Sequence, residues 1–418
     1  MLRTSSLSTL LLGILCAITL SGCGTLERRA AVPPNKLTQA KVTGEEGVRY
    51  LISTQQGVSD LIRDYLAIQK QIAPHFRLQD SSYLSLSGGG DNGAFGAGLL
   101  VGWTQQGSRP EFKLVTGVST GALIAPFAYL GKKYDPVLKE VYTNISPRDI
   151  YIPKNVLFGV FSDGFADPSP LYKLISKHVT LDFLKEVAHE YQVKGRWLMI
   201  GTTNLDSGIP VIWNMGKIAS IGTPEALDLF RRILLASASI PGAFPPTLFD
   251  ILVDGELYQE MHVDGGATTQ VFLYPSAAAY EIRQMGIERP KNRRAYVIRN
   301  SRLDPNWSQT ERRTISIAGR AISQLIQSQG IGDLYRIYNV AKDDGVQYNL
   351  AFIGSDFKEE HKEEFDTDYM RALYQYGYDA AIKGYSWHNH PPGFKRSIEE
   401  DTQITSSSSP KKKLKRTK

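Results

Sequence analysis

A three-layer α/β fold with a largely parallel central sheet is what this sequence predicts, on three observations. Short apolar runs alternate with helical segments along the chain, two of the runs end in glycine-rich turns that open onto helices, and neither an internal repeat nor a long structureless linker breaks the pattern. Alternation of this kind implies parallel strands with helices on both faces. In such sheets the reactive groups gather at the carboxyl ends of the strands.

The chain begins "MLRTSSLSTLLLGILCAITLSGCGT", with one positive charge at Arg3, an apolar stretch from Leu10 to Leu20 and small residues after it. That is the layout of an export signal. As a helix the stretch would reach roughly 16 Å, about half of a ~30 Å hydrocarbon core, too short for a lasting span. Leu20-Ser21-Gly22-Cys23 resembles the lipobox of bacterial lipoproteins, in which the signal is cut before a cysteine that is then lipidated. Residues 1–22 are therefore expected to be the signal, Cys23 the lipid anchor and residues 23–44, polar and carrying Pro33-Pro34, a tether. Cys16 lies inside the signal, so the mature chain has no thiol pair to oxidise. Gly24, in place of Asp, points to the outer membrane of a Gram-negative envelope.

The formal charge is +6, from 48 basic and 42 acidic residues, but six of the basic ones lie in "KKKLKRTK" at 411–418. The body is thus neutral, and the basic stripe expected of a nucleic-acid binder is not indicated. Residues 397–418, with their serine run, are expected to be a disordered basic tail. Between tether and tail, residues 45–396 are expected to form one body. Within it Gly47–Gln71 has helical spacing, "YLSLS", "FKLVTGVS", "RWLMIGTTNL", "IPVIW", "RAYVIRN" and "YNLAFIG" are expected strands, and residues 225–236, 312–327 and 366–382 are expected helices.

Two loops carry the chemistry. "SLSGGGDNGAFGAG" places Gly88, Gly89 and Gly90 after a strand, where their N–H groups suit either of two anions. Gly88, Gly90 and Gly93 match the dinucleotide fingerprint, with Glu111 where an acidic ribose partner is wanted. The same glycines could instead aim at the oxyanion of a reacting ester. The second loop favours the ester, because Gly117-Val118-Ser119-Thr120-Gly121 between a strand and an apolar helix has the form of a nucleophile elbow. Downstream, "ASASIPGAFPPTLFDILVDGELYQEMHVDGG" runs through Pro241, Pro245 and Pro246 to Asp264-Gly265-Gly266.

Taken in order, the glycine loop, the elbow, the Ser/Pro-rich segment and the Asp-Gly-Gly resemble the patatin-like phospholipases over about residues 83–270. The resemblance implies a Ser/Asp dyad hydrolysing lipid acyl esters, with no metal and no other cofactor. Ser119 would be the nucleophile, Asp264 its base, and Gly88, Gly89 and Gly90 the oxyanion hole. The substrate would be a phospholipid or another acyl ester, with the membrane met through the anchor. One departure stands out: the family usually has Arg or Lys where this chain has Asn92.

Alternatives remain at this level. A Ser/Asp/His triad, as in an esterase or thioesterase, is compatible with Ser119, Asp264 and one of His361, His388 or His390. His262 would share a strand face with Asp264, and Asp254 is a spare candidate base. Asp206 and Asp91 read as loop-shaping residues, and His178 and His189 as helix-surface residues. A catalytically weak, lipid-binding envelope lipoprotein that keeps the fold is the reading from a different class.

Overall fold

The computed structural model describes residues 26–42, 47–72, 80–155, 162–286, 290, 292–304, 309–360 and 362–393. The signal, Cys23, the basic tail and His361 lie outside these described residues. The strands are β1 (Lys41–Val42), β2 (Arg49–Tyr50), β3 (Ser81–Leu86), β4 (Phe112–Gly117), β5 (Ile152–Pro153), β6 (Ala166–Asp167) and β7 (Trp197–Asn204). They continue with β8 (Ile209–Asn214), β9 (Thr247–Val253), β10 (Glu256–Asp264), β11 (Arg293–Arg302) and β12 (Gln347–Ile353). The α-helices are α1 (Gln55–Ile72), α2 (Gly93–Gln106), α3 (Thr120–Leu130), α4 (Asp135–Thr143), α5 (Pro147–Ile150) and α6 (Ser169–His178). After them come α7 (Leu181–Gln192), α8 (Met215–Ile221), α9 (Pro224–Ser237), α10 (Ser276–Gln284), α11 (Thr314–Asp343) and α12 (Thr367–Ile382).

The main sheet runs β1-β9-β10-β7-β4-β3-β11-β12, with β8 also on β7 and β2 on β8. Its centre, β7-β4-β3-β11-β12, is parallel, and β8, β9 and β10 join antiparallel. Alternation along the strands divides the core. Leu84, Val115 and Leu198 face the large core under α2, α3, α9 and α12, whereas Tyr83, Leu114 and Trp197 face two smaller clusters under α1, α10 and α11. This is the expected three-layer architecture. On the first face α2 and α12 approach closely, since a Cβ on Gly98 would stand 2.0 Å from the Tyr374 carbonyl oxygen.

Two expectations need correction. Gly47–Gln71 is not one helix, because Arg49–Tyr50 pairs with β8 and α1 starts only at Gln55. The segment expected as a tether is folded onto the body from Arg28 onward. Arg28 holds Asp206 through two bonds of 2.5 and 3.0 Å, Arg29 reaches Asp250 at 2.7 Å, and β1 pairs with β9. Val32 and Val42 are buried there, so a polar composition concealed two apolar anchors and two long-range ion pairs.

Candidate active site

The register of β7 explains how residues distant in sequence meet. Along one edge of β7, β8 pairs from Met199 to Asn204; β4 and β10 must therefore share the other edge, end to end. Gly117 of β4 lies opposite Ile200 and Asp264 of β10 opposite Thr202, two positions or about 7 Å apart along the strand. The end of a parallel strand and the end of an antiparallel one thus converge on Gly201.

Ser119 sits at this junction as the N-cap of α3, with φ 55° and ψ −128°, a conformation that costs a non-glycine residue strain. The surroundings hold it there. Its N–H donates to Ser237 Oγ at 3.1 Å, while the Ser237 hydroxyl donates to the Gly201 carbonyl at 2.7 Å. The flanking glycines allow contact no side chain would permit: a Cβ on Gly117 would lie 2.4 Å from the Gly121 carbonyl oxygen, and one on Gly121 2.3 Å from that of Leu86. Asp264 accepts the Gly266 N–H at 2.7 Å. Burial pushes its carboxyl up to about 6, against the opposing pull of the neighbouring Ser119 side chain and the Gly266 N–H. Such a group is a carboxylate at neutral pH yet basic enough to take a proton.

The glycine loop lies beside the elbow at the end of β3, and its three glycines differ. Gly88 donates its N–H to the Gln270 carbonyl at 3.1 Å. The expectation that it belongs to the oxyanion hole is corrected on that ground, and its contribution is space, since a Cβ there would be 3.1 Å from Ser119 Cβ. Gly89 (φ 156°) and Gly90 (φ 58°) donate to no acceptor among the described residues, and they open a 3-10 turn that leads into α2. Their N–H groups remain available to an anion, with a helix N-terminus behind them. Asn300, absent from the sequence-based site, fixes this loop: it is fully buried and bonded to the Ser87 carbonyl, the Ser87 hydroxyl and the Gly96 N–H at 2.9, 2.9 and 3.1 Å. Asn92 turns away, accepting the Tyr369 hydroxyl at 2.5 Å, and Asp91 accepts the Phe365 N–H, so they fasten the loop to α12 and to the segment before it.

The other candidates are not brought here. His262 is fully buried, with one ring nitrogen 2.9 Å from Thr202 Oγ1 and the other 3.0 Å from Glu260, itself paired with Arg49. Burial depresses its pKa. His388 bridges Leu350 at the outer edge of β12, which is three strands or roughly 14 Å from β4. His390 Nδ1 is 3.1 Å from the Pro391 carbonyl. Asp254 is an exposed turn residue paired with Lys36, and Asp206 shapes a turn through Arg28 and the Met261 N–H. Glu111 sits at the amino end of β4, across the sheet from the glycine loop, which deprives the dinucleotide reading of its acidic partner. His189 is exposed, but His178 is half-buried with its ring edge-on to Phe127. Among the described residues no group of His, Cys, Asp or Glu is arranged to hold a metal ion.

Residues 84–274 match the family model described as patatin-like phospholipase. No curated protein matches the chain. Among solved structures, VipD from Legionella pneumophila is similar at 12% identity and a TM-score of 0.32, over 73% of this chain and 66% of that one. The chain thus spans just under two thirds of that protein's length. The matched interval contains the glycine loop, the elbow and Asp264, so the three motifs lie within the stretch that is similar to the patatin-like phospholipases, and that similarity supports a lipid acyl hydrolase in general.

Proposed function

We propose that the protein hydrolyses an acyl ester of a phospholipid or related lipid through a Ser119 acyl-enzyme, with Asp264 as base. The observation that carries this reading is the buried Asp264 carboxylate beside the Ser119 side chain, which a strained turn presents at the end of the sheet. As Ser119 Oγ attacks the ester carbonyl, its proton passes to Asp264, and the carbonyl oxygen gains negative charge beside the N–H groups of Gly89 and Gly90. Collapse of that intermediate expels the alcohol, which leaves with the proton from Asp264. Water, deprotonated by the same carboxylate, then releases the fatty acid. An apolar cavity of about 60 Å³ lies behind Thr120, lined by Leu123, Tyr142, Ile145 and Phe365, and offers the acyl chain a place beside the nucleophile. Before this, export and lipidation at Cys23 bring the enzyme to the envelope membrane, a reading supported by the Leu20–Cys23 motif.

Fluorophosphonate labelling of the wild type, with lipid-ester hydrolysis followed in parallel, tests the mechanism. Ser119→Ala is expected to remove the label and lower turnover by about 10³-fold or more. A His388→Ala, His390→Ala double variant should label like the wild type. Undiminished hydrolysis by Ser119→Ala would overturn the nucleophile assignment, and loss of labelling in the histidine variant would restore the triad.

A further inference from the structure

A second cavity, of about 460 Å³, lies at the other end of the sheet. The strand residues that line it, Tyr83, Leu114, Trp197 and Met199 among them, come from the amino-terminal halves of β3, β4 and β7, and α1 and α10 close it. Ser119 is five residues beyond Leu114, roughly 16 Å along the strand direction, so the two sites are separate. The cavity occurs where the clusters under α1 and under α11 fail to merge; Leu114 borders both. Its volume falls within the range of small-molecule sites.

The wall is mostly apolar, and its charged groups carry a net positive charge. Lys113 and Arg293 contribute two cations and Asp344 one carboxylate, 2.9 Å from Arg293. Beside Lys113, the cations Lys194 and Arg196 face the carboxylates Glu190 and Glu111, so positive charge is in excess across the whole group. The Lys113 ammonium lines the cavity and donates to the Lys194 carbonyl at 3.3 Å, with further donor capacity left over. Burial also draws the Lys113 ammonium below its ordinary pKa, a cost that a bound anion would relieve.

We propose that this cavity binds a single-chain amphiphile with a carboxylate head, that is, a free fatty acid, its chain against Leu61, Ile62, Met199 and Ala278 and its carboxylate at Lys113. The site takes the class of molecule that lipid-ester hydrolysis releases, but its occupancy does not depend on Ser119. Calorimetry with laurate below its micellar concentration, on the full mature chain carrying Ser119→Ala, tests it. One equivalent is expected to bind, and to bind equally to wild type whose nucleophile has been blocked by a fluorophosphonate. Lys113→Gln should weaken laurate about tenfold, the value of one charge-assisted hydrogen bond, while leaving dodecanol unchanged. Ala278→Phe, checked for a cooperative melt, should abolish both. The proposal is overturned if no laurate binds, if blocking the nucleophile removes the binding, or if Lys113→Gln leaves laurate and dodecanol equally unaffected. None of these results bears on the Ser119 assignment, which the labelling experiment decides alone.

Discussion

The two ends of the central sheet are built on opposite principles. At the carboxyl end the backbone is strained at Ser119, the glycines lie against neighbouring carbonyls, and buried polar groups are bonded through Ser237, Asp264, Gln270 and Asn300. At the amino end the side chains are large and apolar and the packing leaves a cavity. Strain persists only where surroundings over-determine it, and loose packing costs contacts that a ligand can restore. The contrast teaches that one end is suited to placing a few atoms accurately and the other to accommodating a guest.

Changes at the carboxyl end should therefore cost catalysis, and outside the dyad itself a large effect should come from the glycine loop. A Cβ on Gly89 would stand 2.0 Å from the Asn300 carbonyl oxygen. Gly89→Ala keeps its N–H but must move the loop off Asn300, so it is expected to lower kcat by about 10²-fold or more through misplaced oxyanion donors and to lower the melting temperature as well. Steady-state kinetics on a short-chain ester check this; a shift confined to KM would show that the loop acts in ground-state binding.

Next in size is pH. With Asp264 at about 6, kcat/KM should rise nearly tenfold per unit below that value and level off above it, as the base deprotonates. Stability runs the other way. The folded carboxyl sits above its ordinary 3.8, so between these values the native state holds a proton the unfolded chain has lost, and stability falls as pH rises through that window. Asp264→Asn should thus be more stable at pH 7, by at most about 3 kcal/mol, though inactive. Thermal melts at pH 4 and pH 7 check the sign. Asp254→Asn, in the exposed turn, should match the wild type in both assays.

The smallest effect is expected at the other end. Ala278→Leu fills part of the cavity and should raise stability by roughly 0.5–1 kcal/mol without altering turnover. A destabilised variant would mean that the two clusters are packed more tightly than the cavity indicates, which would blur the contrast.

Much of this was legible from sequence because the signals are local. Apolar runs of strand length identified six strands of the sheet, and the elbow pentapeptide with the Asp-Gly-Gly singled out two residues that the structure brings side by side. What stayed hidden depends on long-range neighbours. Ser237 and Gln270 are ordinary residues until β10 docks, and Asn300 acts on a loop more than two hundred positions away. Gly88 looked equivalent to Gly89 and Gly90, and only the Gln270 carbonyl distinguishes it. The Arg28–Asp206 pair joins segments 178 residues apart, which no local pattern reveals.

The end-to-end meeting of β4 and β10 on one edge of β7 has a temporal side. β3, the glycine loop, β4 and the elbow follow one another in the chain and can come together early, by contacts of modest sequence separation. Asp264 arrives only when the β9–β10 hairpin has closed the remaining edge of β7, a long-range contact that forms slowly. On the proposed mechanism, an order of assembly in which the elbow precedes its base would leave Ser119 without a proton acceptor until the sheet is complete, and so would keep the site silent while the chain folds.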